Sequence, residues 1–157
     1  MIELKKLLNI FKKNKCDFFT GVPDSCLKIL CNSLEKLPKK KHLIAVNEGA
    51  AVSIGIGYYL SEKKIPCIYM QNSGLSNAIN PLISIAHNSV YSIPLILIIG
   101  WRGAPNSKDE PQHMNKGKIT RKLLNLLNIK NLNITKNQDL RKLDKLIKYS
   151  KKNNKIV

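Results

Sequence analysis

Hydrophobic positions along the chain alternate between a helical and a strand-like spacing. From Ile2 to Phe11 the apolar residues recur every three or four positions, which predicts an amphipathic helix over residues 2–14. Short apolar runs predict five strands, CDFFTGVP, HLIAV, IPCIYM, SIPLILIIG and NLNIT. Further helices are predicted from Asp24 or Ser25, over NEGAAVSIGIGYYL, from Ser73–Asn77 past Pro81, over NKGKITRKLLNLLNI and from Gln138 to Lys152.

The alternation of strands and helices predicts the fold class. It is typical of an α/β domain that is doubly wound, with a mainly parallel sheet and helices on both faces. The run SIPLILIIG is apolar without alternation, as expected for a strand covered on both faces. A length of 157 residues fits one domain, so residues 1–157 are predicted to form a single unit.

Composition narrows the classes of function. The net charge is +17, yet the 13 Lys and Arg residues after position 115 are spaced around predicted helices, and no nucleic-acid-binding motif accompanies them. Specific nucleic-acid binding is therefore not expected. The sequence has no run of about 18 apolar residues and its N-terminus does not resemble a signal peptide, so we expect a cytoplasmic protein without a membrane partner.

Residues capable of chemistry are concentrated directly after four of the predicted strands. These segments are TGVPDS, NEGA, QNSGLSN and GWRGAPNSKDEPQH. In parallel α/β sheets, ligands bind beyond the carboxyl ends of the strands, so we expect the four segments to form one site. No His or Cys cluster has metal-ligand spacing, and no metal ligand is predicted in this chain.

Two carboxylates stand out in these segments. Asp24 begins a predicted helix, where it either caps the helix or points into the cleft. Glu48 lies in the first turn of another helix, where a surface carboxylate also favours the helix dipole. Because Glu48 is followed by small residues, a backbone or a flat ligand can approach it closely, which suits a group that shares a proton.

The segment after the fourth strand is long for a loop in so small a domain. Long loops are often functional, although an ordinary polar surface loop is the alternative. Arg102 follows the buried strand directly and can bind a carboxylate or phosphonate through two hydrogen bonds. Lys108 and His113 lie farther along the same segment.

Five strings in order carry a family resemblance. TGVPDS, NEGAAV, GYYL, YMQNSGLSNAINPL and IPLILIIGWRGAPNSKDEPQH resemble the N-terminal, pyrimidine-binding domain of the thiamine-diphosphate-dependent phosphonopyruvate decarboxylases. The α subunits of sulfopyruvate decarboxylases are similar too. The resemblance extends from about Leu4 to Leu127 and implies the pyrimidine-domain fold.

The resemblance implies a cofactor site for thiamine diphosphate. Glu48 matches the glutamate that hydrogen-bonds the aminopyrimidine ring of the cofactor and promotes its activation. Asn72, Ser73 and Gly74 match the turn beside that ring, where two uncharged polar side chains can bond it and a glycine permits close approach.

Further roles follow from the same comparison and from charge. Asp24 and His113 match polar positions that flank the reacting carbon in related decarboxylases, and are candidates for proton transfer. Arg102 and Lys108 are our own candidates for binding the substrate's anionic head, because a dianion requires cations and both residues lie on the appropriate loop.

The sequence departs from the family in one respect. It lacks the GDG motif and the NN pair about 25 residues later that hold magnesium and the diphosphate in the family. We therefore expect a separate diphosphate-binding subunit that holds Mg²⁺, in a hetero-oligomer. The implied reaction converts a small 2-oxo acid, phosphonopyruvate, to phosphonoacetaldehyde and CO2. The alternatives are the sulfopyruvate reaction and a non-catalytic partner or remnant domain.

Overall fold

The chain folds into four strands and six α-helices over residues 2–157, the part that the computed structural model describes. The strands are β1 (Phe19–Gly21), β2 (His42–Ile44), β3 (Cys67–Gln71) and β4 (Ile96–Gly100). The helices are α1 (Leu4–Lys13), α2 (Lys28–Leu34), α3 (Glu48–Glu62), α4 (Leu75–Pro81), α5 (Pro111–Leu126) and α6 (Leu140–Asn153). No helix within residues 2–157 is long and apolar enough to cross a membrane.

The strands form one sheet in the order β2-β1-β3-β4, and every pair is parallel. Phe19 of β1 lies opposite His42 of β2 and Cys67 of β3, so β1 and β3 occupy the centre. The strand order reverses between these two central strands, and in such sheets ligands bind at that switch point. The α/β fold with a parallel sheet is confirmed.

Helices cover both faces of the sheet, as predicted. Ile68 and Met70 of β3 face a core built with α3, α4 and α5, whereas Cys67 and Tyr69 face a core built with α1, α2 and α6. All four side chains are fully buried. The two-sided burial explains why IPCIYM is continuously apolar, with no alternation between polar and apolar positions.

The predicted strand NLNIT is wrong, because residues 131–135 form no strand in the structure. The outer edge of β4 is instead bonded to the end of the described chain. The backbone N–H of Val157 donates to the carbonyl of Leu95 at 2.9 Å, and the N–H of Leu97 donates to the carbonyl of Val157 at 2.8 Å. These bonds occupy backbone groups of β4 that a strand over residues 131–135 would need.

Helix α5 begins earlier than predicted, at Pro111 rather than at Asn115. Proline at the first helical position lacks only an N–H that would have no intrahelical partner, and its fixed φ suits the helix. His113 therefore lies in the first turn of α5 and not in the preceding loop. The loop itself is shortened to residues 101–110.

One hydroxyl group in the sheet is left without a partner. Thr20 of β1 is fully buried, and its Oγ1 makes no hydrogen bond within residues 2–157. We expect Thr20→Val, which keeps the shape and removes the hydroxyl, to raise the free energy of unfolding by about 1 kcal/mol. Urea denaturation of both proteins measures the difference.

Thr120 provides the matched control. It is also buried, but its hydroxyl donates to the carbonyl of Lys116 at 2.7 Å and accepts from the Asn72 amide at 2.9 Å. Thr120→Val should therefore lower the free energy of unfolding by about 1–3 kcal/mol. A loss of stability in Thr20→Val equal to that in Thr120→Val would contradict an unsatisfied Thr20 hydroxyl.

Candidate active site

The Glu48 side chain is held against the turn that follows β3. Asn47 caps α3 by accepting a hydrogen bond from the N–H of Ala50 at 2.8 Å, which places Glu48 at the first helical position. A Cβ added at Gly74 would lie 2.3 Å from the Glu48 side chain, so the missing side chain of Gly74 is what makes room for the carboxylate. The amide of Asn77 donates to Glu48 Oε2 at 2.9 Å.

Asp24 is a second, more deeply buried carboxylate at the same edge of the sheet. Its side chain belongs to a residue that is only 7% exposed. The N–H of Cys26 donates to Oδ2 at 3.1 Å, so Asp24 does cap the turn after β1. Gln71 Nε2 donates to Oδ1 at 2.7 Å. A Cβ at Gly100 would lie 2.1 Å from Oδ2, so the carboxylate sits over the end of β4.

Gln71 is a site residue that the sequence reasoning missed. Its side chain connects two predicted site residues, because it donates to Asp24 and its Oε1 accepts from the hydroxyl of Ser73 at 2.7 Å. The signal was present, since Gln71 is the polar residue that ends the apolar run of β3. The turn after β3 thus contacts Asp24 through Gln71 and Glu48 through Gly74.

The side chain of Asn72 is fully engaged in hydrogen bonds to other residues of the protein. Its amide donates to the carbonyl of Arg102 and to the Thr120 hydroxyl, both at 2.9 Å, and accepts from the N–H of Arg102 at 3.2 Å. The residue is only 4% exposed. These bonds tie the turn after β3 to the loop after β4. Binding of a cofactor by the Asn72 side chain stays a prediction that these contacts do not favour.

The Arg102 side chain forms a bidentate ion pair inside its own loop. Nε donates to Asp109 Oδ2 at 2.7 Å, and a second bond joins Nη2 to Oδ1. These bonds hold the pKa of Asp109 well below its ordinary value and raise the pKa of Arg102. Nη1 also donates to the Ser25 hydroxyl at 3.2 Å. The charge of Arg102 is therefore largely balanced by Asp109, and its role in substrate binding stays a prediction.

The loop after β4 is fastened to α5 by close backbone packing. The indole of Trp101 donates to the carbonyl of Gly117 at 3.0 Å. A Cβ at Gly117 would lie 1.7 Å from the carbonyl oxygen of Gly103, so only glycine fits there. Gly103 itself has φ +62° and lies against the carbonyl of His113.

The remaining two candidates, Lys108 and His113, lie on the segment that follows β4. Lys108 is exposed near the tip of the loop, and His113 is half-buried at the start of α5. Within residues 2–157, no side-chain hydrogen bond joins either residue to Asp24 or Glu48. The structure thus brings together Asp24, Gln71 and Ser73, with Glu48 on the other side of the same turn.

Comparison with known proteins identifies the family. The sequence profile described as "Thiamine pyrophosphate enzyme, N-terminal TPP binding domain" matches residues 5–124. The chain belongs to this family. It is 42% identical over 106 residues to a phosphonopyruvate decarboxylase of Streptomyces viridochromogenes, covering 68% of the chain and 26% of that protein. It is 35% identical over 124 residues to the sulfopyruvate decarboxylase subunit alpha of Methanocaldococcus jannaschii, covering 78% of the chain and 70% of that subunit.

A solved structure supports the fold of this family member. A thiamine diphosphate-dependent 4-hydroxybenzoylformate decarboxylase from Rhodococcus jostii RHA1 superposes with a TM-score of 0.67. The match covers 97% of the chain and 28% of that enzyme at 18% identity, so it is evidence for the fold alone. The chain spans about a quarter of the length of the phosphonopyruvate decarboxylase that it matches.

The Asn72 contacts predict a structural role that can be measured. We expect Asn72→Ala to lower the free energy of unfolding by about 2–3 kcal/mol, because it removes three hydrogen bonds and leaves buried partners unsatisfied. Asn133→Ala, at an exposed position, is the control and should change stability by less than about 0.5 kcal/mol. Equal stability of the two variants in urea denaturation would remove Asn72 from the structural network.

Proposed function

We propose that this chain is the pyrimidine-binding half of a thiamine-diphosphate-dependent 2-oxo acid decarboxylase, and that residues 1–157 form a single pyrimidine-binding domain. The observation that carries the proposal is the Glu48 carboxylate, held beside Gly74 at the carboxyl edge of a parallel sheet. The family and the names of its relatives support this function.

The residues at this edge fit the aminopyrimidine of thiamine diphosphate. Glu48 is partly exposed, and its carboxylate can accept a hydrogen bond from the ring or share a proton with it. The Ser73 hydroxyl and the backbone of Gly74 lie on the adjoining turn and add uncharged polar contacts. When bound, the cofactor supplies the electron sink that decarboxylation of a 2-oxo acid requires.

Asp24 is placed for a different task. Its carboxylate accepts a hydrogen bond from Gln71 at the end of β3 and lies against Gly100 at the end of β4, at the edge of the sheet where ligands bind in such folds. There it can hold or move a proton at the reacting carbon of the substrate. His113, in the first turn of α5, is the second candidate for proton transfer.

The substrate that we favour is phosphonopyruvate, converted to phosphonoacetaldehyde and CO2. Sulfopyruvate is the alternative, since both acids combine a carboxylate, a ketone and a tetrahedral anionic group. The relative with 42% identity is named for the first reaction, and the archaeal subunit for the second. A non-catalytic partner domain is the other possibility, and it is tested by the same experiment.

We further propose a partner chain that binds the diphosphate and holds Mg²⁺, so that the active enzyme is a hetero-oligomer. The archaeal relative is itself named as an alpha subunit, and the chain covers 70% of it. The cofactor would then lie between the two chains.

Reconstitution tests this proposal. The chain, alone and mixed with a candidate partner protein that carries the GDG motif, is assayed with phosphonopyruvate or sulfopyruvate, thiamine diphosphate and Mg²⁺. We expect CO2 release only in the mixture, with higher kcat/KM for phosphonopyruvate. Preference for sulfopyruvate would support the alternative substrate. A mixture that forms a stable complex without turnover of either acid would contradict the enzyme and favour a non-catalytic partner.

The variant Glu48→Gln tests whether the Glu48 carboxylate takes part in the reaction. In the reconstituted enzyme, we expect this variant to lower kcat at least about a hundredfold, because an amide cannot share the proton in the same way. Glu62→Gln, at the exposed end of α3, is the matched control and should retain normal turnover. Near-normal turnover in Glu48→Gln, with thiamine diphosphate bound, would end the proposed role of Glu48.

Lys108 gives the sharper test of anion binding, because removing Arg102 would also leave Asp109 unpaired. We expect Lys108→Ala to raise KM for phosphonopyruvate about tenfold with little change in kcat, as for a cation that binds ground state and transition state equally. Lys118→Ala, exposed on α5, serves as the control. An unchanged KM would exclude Lys108 from the substrate site.

A further inference from the structure

We propose that Gln71 is a positioning residue, which orients the Asp24 carboxylate for proton transfer in the reaction. The inference rests on the proposed function and adds a residue to it. Gln71 would act through Asp24, without contacting the substrate itself. Its amide is the direct link between Asp24 and the turn that also supports Glu48.

The position of Gln71 in the sheet places it beside the predicted ligand crevice. It is the last residue of β3 and pairs in register with Gly100 of β4. Strand β1, which leads to Asp24, lies on the other side of β3. The segment after β1 brings Asp24 across the end of β3, because Asp24 Oδ2 lies against Gly100 of β4, and the Gln71 amide meets the carboxylate there. The Gln71–Asp24 bond therefore connects the end of β3 to the segment that follows β1.

Both ends of the Gln71 amide are engaged, and this fixes its orientation. Nε2 donates to Asp24 Oδ1 at 2.7 Å, and Oε1 accepts from the Ser73 hydroxyl at 2.7 Å. A carboxylate oxygen accepts hydrogen bonds only, so the reversed amide would place two acceptors against each other. The Asp24 carboxylate therefore fixes which end of the Gln71 amide faces it, and the Ser73 hydroxyl satisfies the other end.

The Asp24 carboxylate depends on this donor. Its other oxygen is fixed by the N–H of Cys26 and lies against Gly100. The guanidinium of Arg102 forms its ion pair with Asp109 and also donates to Ser25. Within the described residues it forms no hydrogen bond with Asp24. Without Gln71, one oxygen of a carboxylate that is 7% exposed would lose its side-chain donor, and the group could rotate about χ2.

The same short turn sets the relation between the two carboxylates. Gln71 contacts Asp24, and Gly74, three residues later, supports the Glu48 side chain. The intervening turn Asn72–Gly74 is fixed by the buried Asn72 amide. A fixed segment that contacts both carboxylates is suited to hold the group that activates a cofactor at a set distance from the group that protonates a substrate.

The first measurement does not need turnover. Side-chain amide signals of Gln71 are assigned in the ¹⁵N spectrum of the full chain. We expect Asp24→Asn to shift them strongly and Glu48→Gln to leave them almost unchanged, because only the Asp24 carboxylate accepts from Nε2. If Gln71 signals do not respond to Asp24→Asn, the contact is absent and the inference fails.

The second measurement tests the catalytic consequence in the reconstituted enzyme. Gln71→Ala should lower kcat about tenfold to a hundredfold while KM changes less than about threefold, because misorientation of Asp24 affects the chemical step. Gln138→Ala, at an exposed position before α6, is the matched control and should retain normal kcat. Unchanged kcat in Gln71→Ala would overturn the positioning role.

A double variant that exchanges the two side chains distinguishes positioning of the Asp24 carboxylate from a simple contribution of Gln71 to stability. Gln71→Glu alone places two carboxylates together and should lower the midpoint of thermal unfolding. Adding Asp24→Asn exchanges donor and acceptor, so the double variant should recover that midpoint. We expect turnover to stay low in this double variant, because the charge has moved from Asp24 to position 71. Recovered turnover would show that the position of the Asp24 carboxylate is unimportant and would overturn the inference.

Failure of the proposed function is distinguishable from failure of this inference. If the wild-type mixture binds thiamine diphosphate but decarboxylates neither acid, the proposed function and the role of Gln71 in proton transfer are both rejected. The amide spectrum still decides whether Gln71 holds Asp24. If the wild type is active and only Gln71→Ala behaves as the Gln138→Ala control, the proposed function stands and the positioning role is rejected.

Discussion

Strand β3 is buried between two parallel neighbours and two helical layers, and the arrangement of the site depends on that placement. Its side chains Ile68 and Tyr69 are fully buried on opposite faces, and β1 and β4 pair with its two edges. Parallel pairing brings the carboxyl ends of all three strands to one edge. The polar residues at the end of β3 can therefore contact the segments after β1 and β4, which are distant in sequence.

The sequence predicts this architecture because its signals are local. Apolar runs and helical periods define the elements, and parallel pairing then requires Asp24 and Glu48 to lie at the same edge. The side chains within that edge could not be predicted in the same way. Whether Asn72 points toward a ligand or toward Arg102 depends on contacts 30 residues away. The bond between Gln71 and Asp24 spans 47 residues and leaves no local pattern.

The strand that does not form and the early start of α5 have physical explanations of the same kind. Residues 131–135 have a strand-like composition, but the backbone of Val157 forms the hydrogen bonds at the outer edge of β4. Composition alone does not show which segment of the chain will pair with a given edge of the sheet. The start of α5 depends on Pro111, which reads equally well as a loop residue or as the first residue of a helix. The anion-binding role of Arg102 stays a prediction, and the composition of the loop did not reveal that its partner in the free chain is Asp109, seven residues further along.

The loop after β4 has a base that is fixed by backbone contacts and a tip that is not, so the two parts differ in how many substitutions they tolerate. Its base is fixed where Trp101 and Gly103 meet Gly117, and a larger residue at Gly117 would collide with the backbone. The stretch from Pro105 to Lys108 is exposed and lies outside those contacts. Mutations or insertions in that stretch can therefore accumulate without disturbing the core. Related chains could therefore differ in the length and charge of this tip while keeping the same fold.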